Sequence, residues 1–250
     1  MYINRNEIED LYEILYYGTY GTIYKVKYKN QIYGQKKFIP DMYTPSLDDV
    51  KKIEKFCNIN TKEDNIFLPR YLEGNDCLHS YLTLLYDGIN FRYLFEKPID
   101  VKLDFLRKAK DLILKTNNDY GIIHSDIHFG NLMYNDDKKT VALVDFDASK
   151  YEDLECEKCY LSGYAKRYIT YNKYDDKLDI YLFNLLTLGL IFDQHMEHSY
   201  IDLNCRRFHN YFYSKSAVKT LEDMSKIQGN KNFLIDMIDD NVKSRILKLG

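Results

Sequence analysis

His124-Ser125-Asp126-Ile127-His128-Phe129-Gly130-Asn131 is the stretch whose reading decides the fold. It follows the apolar pair Ile122-Ile123. Two short apolar runs come after it, Leu132 to Tyr134 and Val141 to Val144, and the polar Asn135 to Thr140 between them reads as a hairpin. Val144-Asp145-Phe146-Asp147 closes the block, with Asp145 nineteen positions beyond Asp126. Two carboxylates and a carboxamide thus sit on loops at either side of a rigid hairpin. Phosphoryl transfer from a magnesium nucleotide needs such a set, one carboxylate to orient a hydroxyl and take its proton and oxygen ligands for the metal.

Working outward, the first 90 or so residues are strand-like, with one helical candidate. Glu13 to Tyr28 reads as strand, turn and strand, the turn lying in Tyr17-Gly18-Thr19-Tyr20-Gly21, and Gln31 to Ile39 as a third strand. Ser46 or Asp48 caps a short helix with Val50, Ile53 and Phe56 or Cys57 on its apolar face. Ile66 to Leu72 and Leu78 to Tyr86 are further extended runs, and Asp87-Gly88 is a break. The period then becomes helical. Asp100 is expected to cap a helix ending near Gly121, a second apolar helix covers Asp179 to Ile191, and the last 55 or so residues read as helical. A β-rich half followed by an α-rich half predicts an α+β chain in two lobes, residues 1–87 and 88–250.

The HxDxxxxN spacing followed by Asp-Phe resembles the catalytic loop and metal-binding motif of the protein-kinase superfamily. The resemblance implies a two-lobed kinase-like fold, with a small β-rich lobe carrying one helix and a larger, mostly helical lobe. Asp126 matches the catalytic Asp, Asn131 a metal ligand and Asp145 the metal-binding Asp. His124 matches the structural His beneath the loop, and Asp179 the central-helix Asp that supports it. Upstream, Gly18 to Val26 is similar to the second part of the family's glycine loop, whose first glycine would fall at Tyr16. Tyr33 to Phe38 resembles the strand that carries the nucleotide lysine, here Lys36 or Lys37, which point to opposite faces. Gly18, Gly21, Ile23 and Tyr86 are expected at the nucleotide by the same resemblance, and Glu54 as the partner of the lysine.

The sequence departs from the family at several points. Ser125 replaces the Arg that docks a phosphorylated activation loop, and His128 replaces a Lys. Asp147 replaces the Gly of the metal motif and offers itself as an extra metal ligand. Ala165-Lys166-Arg167 stands near the place of the missing peptide-platform motif, and the segment from Ala148 to Leu178 is short. The implied function is ATP- and Mg²⁺-dependent transfer of the γ-phosphate. A divergent Ser/Thr protein kinase is the first reading, with ATP and a protein hydroxyl as partners. A small-molecule kinase of the aminoglycoside or choline type is the second, because HxDxHxxN is reminiscent of those enzymes. A pseudokinase acting as a binding module is the third.

Bulk properties agree with such an enzyme. The chain has 250 residues, enough for a sizeable core. A net charge of -3 without like-charge blocks gives no reason to expect nucleic acid or a membrane as partner. The five cysteines (57, 77, 156, 159 and 205) suggest reduced thiols and a cytoplasmic setting, or delivery into a host cytosol. Cys156 and Cys159 form a single CxxC without further metal ligands nearby, and His124, Asp126 and His128 by themselves resemble a zinc cluster that does not account for Asn131 or Asp145.

Overall fold

The computed structural model describes residues 2–192, apart from 43, 62–63, 74–79, 156–160, 162–164, 167–168 and 171–172. The CxxC at Cys156, Arg167 and the expected helices of the last 55 residues lie outside that range.

Six strands form the first sheet: β1 (Tyr2–Ile3), β2 (Glu9–Tyr17), β3 (Gly21–Tyr28), β4 (Gln31–Phe38), β5 (Pro69–Glu73) and β6 (Ser80–Leu84), in the order β1-β5-β6-β4-β3-β2. β3 and β4 are joined by Lys29-Asn30, both at positive φ (47° and 63°), the geometry that a two-residue hairpin turn needs to match strand twist. β2 lies at the sheet edge and carries two register shifts, which put Tyr12 at φ 56° with its side chain in solvent. The helix α1 (Leu47–Phe56) starts at Ser46, whose hydroxyl accepts the N–H of Asp49 while the Asp49 carboxylate accepts the N–H of Ser46. Ile53 of α1 is buried with Leu72 and Tyr81, which fixes the helix on one face of the sheet.

Beyond the sheet, β7 (Ile89–Asn90) pairs with β9 (Leu132–Asn135), which pairs with β10 (Thr140–Leu143), while β8 (Ile122–Ile123) pairs with β11 (Lys150–Tyr151). The long helix α2 (Ile99–Tyr120) begins one residue before the expected cap at Asp100. Pro98 is its N-cap, its ring fixing the backbone at φ -55°, and Asp100 falls in the first turn, where its charge favours the helix dipole. Gly121 ends α2 at φ 65°, its N–H returning to the carbonyls of Thr116 and Asn117. In α3 (Lys177–Phe192), Leu178, Leu182, Leu186 and Leu190 recur every fourth residue, all buried. Each such leucine contributes roughly 1.5–3 kcal/mol by leaving water.

The main core runs under the His124–Asn131 loop and joins Phe56 of α1 to Phe105, Phe129, Leu143 and Phe146. Phe146 stands edge-on to Phe56, with centroids 6.3 Å apart, and tilted against His124 at 4.6 Å. One apolar ring thereby couples α1 to the His124–Asn131 loop. No helix among the described residues is long and apolar enough to cross a membrane.

Candidate active site

The loop between β8 and β9 is held from below by α3. Asp179, wholly buried, accepts the N–H of His124 at 2.7 Å, the N–H of Ser125 at 2.7 Å and Nδ2 of Asn117 at 3.1 Å. Ser125 is left-handed at φ 68°, a strained conformation for a non-glycine residue, and those bonds with the Ser125–Tyr174 hydroxyl contact at 2.7 Å hold it. Burial pushes the Asp179 carboxyl above its ordinary value, against the pull of His124 and the bound N–H groups.

His124 is wholly buried and bridges two loops. Nε2 lies 2.9 Å from the Val144 carbonyl, so it carries the proton, and Nδ1 accepts the N–H of Asp126 at 3.3 Å. Both bonds need the neutral ring, and burial lowers its pKa in agreement. The Asp126 backbone is thus tied to the residue that precedes Asp145.

Asn131 Nδ2 donates to the Asp126 carbonyl at 3.0 Å and to Asp126 Oδ2 at 3.1 Å. The amide nitrogen is committed to Asp126, and the side-chain oxygen is left for a cation or another donor. His128 accepts the Gly130 N–H on Nδ1 at 2.9 Å and places Nε2 3.4 Å from Asp126 Oδ2. Burial alone would raise the Asp126 carboxyl. The hydrogen bond and charge of His128 outweigh it, and the carboxyl stays below its ordinary value, ionised.

Opposite the loop, Lys36 Nζ lies 2.6 Å from Asp145 Oδ1 and 2.6 Å from Asp147 Oδ2. Burial works against its charge, yet the two carboxylates win and hold its pKa above the ordinary value. Asp145 is left-handed at φ 63°, a conformation that Asp tolerates better than most residues. Strand alternation turns Lys37 away, its ammonium 4.8 Å from the Tyr24 ring, so Lys36 is the lysine that faces the site.

Lys36, Asn131 and Asp145 open onto a cleft of roughly 400 Å³. Leu15 and Ile23 wall it from the sheet, Met133 and Val144 from the hairpin side, and Leu84 to Tyr86 form its back. Apolar walls around a few convergent polar groups suit a nucleotide base with its phosphates toward Lys36. One carboxylate and one free amide oxygen suit Mg²⁺, which keeps most of its shell for phosphate and water. Among the described residues no group of three His, Cys, Asp or Glu side chains is placed to hold a metal by itself, so the HxDxH spacing builds no zinc cluster.

Ile23, Lys36, Asn131, Tyr86 and Asp145 all line this cleft, and Asp126 adjoins it through Asn131. Gly18 and Gly21 do not. They close the β2–β3 turn, Gly18 N–H bonding the Gly21 carbonyl at 2.9 Å, and a Cβ on Gly21 would stand 2.8 Å from the Lys37 carbonyl. Tyr16, at the place of the absent first glycine, lines the cleft itself. The structure does not bring Glu54 to Lys36, because its carboxylate accepts the Tyr2 hydroxyl at 2.5 Å on the outside of α1. Asp147 meets Lys36 through Oδ2 and accepts the Tyr81 hydroxyl on Oδ1.

Sequence reading passed over Lys52 and Tyr81. Lys52, wholly buried, donates to Asp49 Oδ1 at 3.1 Å and to the carbonyls of Asp147 (2.7 Å) and Ser149 (2.8 Å). Its position beside Ile53 on the inner face of α1 was the only available signal, and lysine is rarely buried there. Tyr81 lies in a strand whose alternation marks it inward but says nothing of its hydroxyl.

These carboxylates, the amide and the lysine, set around an apolar cleft, form the arrangement that the resemblance to protein-kinase-like phosphotransferases implies. Residues 85–172 match the family model of APH, the phosphotransferase enzyme family, so this segment, with the Asp126 loop and Asp145 inside it, carries that family's signature. The family is part of the protein-kinase-like superfamily to which the motifs pointed. Lys36 and the Gly18–Gly21 turn precede the matched segment.

Proposed function

We propose that the chain is an ATP- and Mg²⁺-dependent kinase of two lobes, residues 1–87 and 88–250, that phosphorylates a hydroxyl of a small molecule. The convergence of Lys36, Asn131 and Asp145 on one cleft, with Asp126 adjoining it through Asn131, carries the reading. The match to the APH family, in which small-molecule kinases predominate, supports the acceptor class, as does His128 where protein kinases use Lys. When bound, Mg·ATP supplies the transferable phosphoryl group and the cation that neutralises its charge. Asp145 and the Asn131 oxygen would hold the metal, and Lys36 the nucleotide phosphates. Asp126 orients the acceptor hydroxyl and takes its proton, and Asn131 and His128 hold Asp126 in place for that step. His124 and Asp179 keep the loop in register.

A protein acceptor is the second reading, favoured by the Gly18–Gly21 hairpin turn, which is similar to that of protein kinases. Purified protein with γ-labelled ATP and Mg²⁺, a pool of small alcohols and amines, and in parallel a basic protein, separates the two, with Asp126→Asn as control. Label transferred to a small molecule by the wild type alone is the expected result. Label on protein instead would replace the acceptor class. Absence of transfer in both arms, with ATP bound, would overturn the enzyme reading in favour of a binding module.

A further inference from the structure

The family resemblance assigns the partner of the nucleotide lysine to an acidic residue of α1, and none of the acidic residues of that helix takes the task. Asp48 is exposed beside Lys51, Asp49 is engaged by Ser46 and Lys52, and Glu54 by Tyr2. The second carboxylate at Lys36 comes instead from Asp147, whose Oδ2 lies 2.6 Å from Nζ. Tyr81 of β6 donates to the other oxygen of Asp147 at 2.8 Å, and Lys52 of α1 holds the Asp147 carbonyl at 2.7 Å. Three elements, β4, β6 and α1, therefore converge on one residue. Its side chain is only 15% exposed, with one oxygen on the Tyr81 hydroxyl and the other against the Lys36 ammonium.

We propose that Asp147 is a positioning residue that anchors Lys36 in the nucleotide cleft, in place of an acidic residue on α1 and not as a metal ligand. The physical requirement is a carboxylate that stays with Lys36 when the other one changes partner. Asp145 would hold the cation once metal and nucleotide are bound, and a lysine without Asp147 would then be free to swing among rotamers. Lys52 makes the anchor rigid, because it locks the backbone that carries Asp147 to α1.

The inference rests on reading the cleft as a nucleotide site, and the test separates the two. Calorimetric titration with a non-hydrolysable ATP analogue, with Mg²⁺ and with a chelator, is made on wild type, Asp147→Asn, Lys36→Met and the double variant. Asp147→Asn should weaken binding roughly tenfold in both media, and by less than about twofold once Lys36 is Met, the non-additivity expected of a coupled pair. A loss seen only with Mg²⁺, and undiminished in the Lys36→Met background, would make Asp147 a metal ligand and overturn the proposal. Unchanged binding in Asp147→Asn would also overturn it. A wild type that binds no nucleotide would remove the underlying reading and this inference with it. Should Asp147→Asn fail to fold, Tyr81→Phe removes only the hydroxyl that supports the anchor, and its weaker loss must likewise vanish in the Lys36→Met background.

Discussion

Asp179 Oδ1 accepts the backbone N–H of Ser125 at 2.7 Å and thereby fixes the left-handed residue immediately before Asp126. Its Oδ2 holds the preceding N–H, of His124, at the same distance. The direction of the Asp126 side chain is thus set from α3. Replacing Asp179 by Asn leaves one of the two N–H groups facing an amide donor in a dry site. The expected cost is about 1–3 kcal/mol of stability, checked by denaturant unfolding, with a fall in turnover larger than the fall in nucleotide affinity.

Asp126→Asn keeps the shape of the loop and removes the carboxylate proposed as its base. Turnover should drop on the order of 10²–10³-fold while nucleotide binding survives. Asp145→Asn should weaken binding of the magnesium nucleotide as well, and parallel titration and rate measurements on the two variants distinguish the roles.

The two loop histidines should respond to pH in opposite senses. His124 is held neutral by burial, with its pKa below 6.5, so its contribution is present above 6.5 and is lost as pH falls through its folded value. His128 is lifted above 6.5, where burial opposes the shift but Asp126 and Asp145 prevail. Its contribution is present below 6.5 and is lost as pH rises through its folded value. Melting temperatures between pH 5 and pH 8 should therefore fall less on acidification in His124→Gln than in wild type, and more in His128→Asn.

Lys52 and Asp49 form an ion pair with no exposed surface. Lys52→Met would strand the Asp49 carboxylate and two carbonyls in the interior, with an expected loss of about 3–5 kcal/mol. Chemical denaturation measures it, and a loss confined to surface-pair size, below about 1 kcal/mol, would contradict the contacts seen here.

Gly21→Ala tests the β2–β3 turn. Its Cβ would press on the Lys37 carbonyl at 2.8 Å and on the Lys36 stem at 3.3 Å. Overpacking of this kind costs about 1–3 kcal/mol, visible in thermal unfolding, and here it should also weaken nucleotide affinity by displacing Lys36.

Much of the local architecture was legible in the chain. The hairpin between Leu132 and Val144, a capped helix start at Ser46 or Asp48 (the structure takes Ser46), the end of α2 at Gly121 and the buried helix around Asp179 follow from short-range rules of period, capping and turn chemistry. Where Pro98 displaced the expected cap of α2, a local rule of equal standing prevailed over the one invoked. The choice between Lys36 and Lys37 needed only the position of the cleft, because alternation had already set them on opposite faces.

The amino-acid sequence by itself determined which groups are available: an Asp and Asn at fixed spacing, a second Asp on the next loop, and a lysine on an early strand. That holds because loop spacing and strand alternation are local properties of a chain. Only the tertiary structure decided who pairs with whom. Glu54 went to Tyr2, Asp147 to Lys36 and Tyr81, and Lys52 to carbonyls across the fold, since these contacts depend on how α1 is seated against the sheet and the Asp145 loop. A buried charge takes whichever partner packing brings within reach, and that distance is set by packing between elements far apart in the chain.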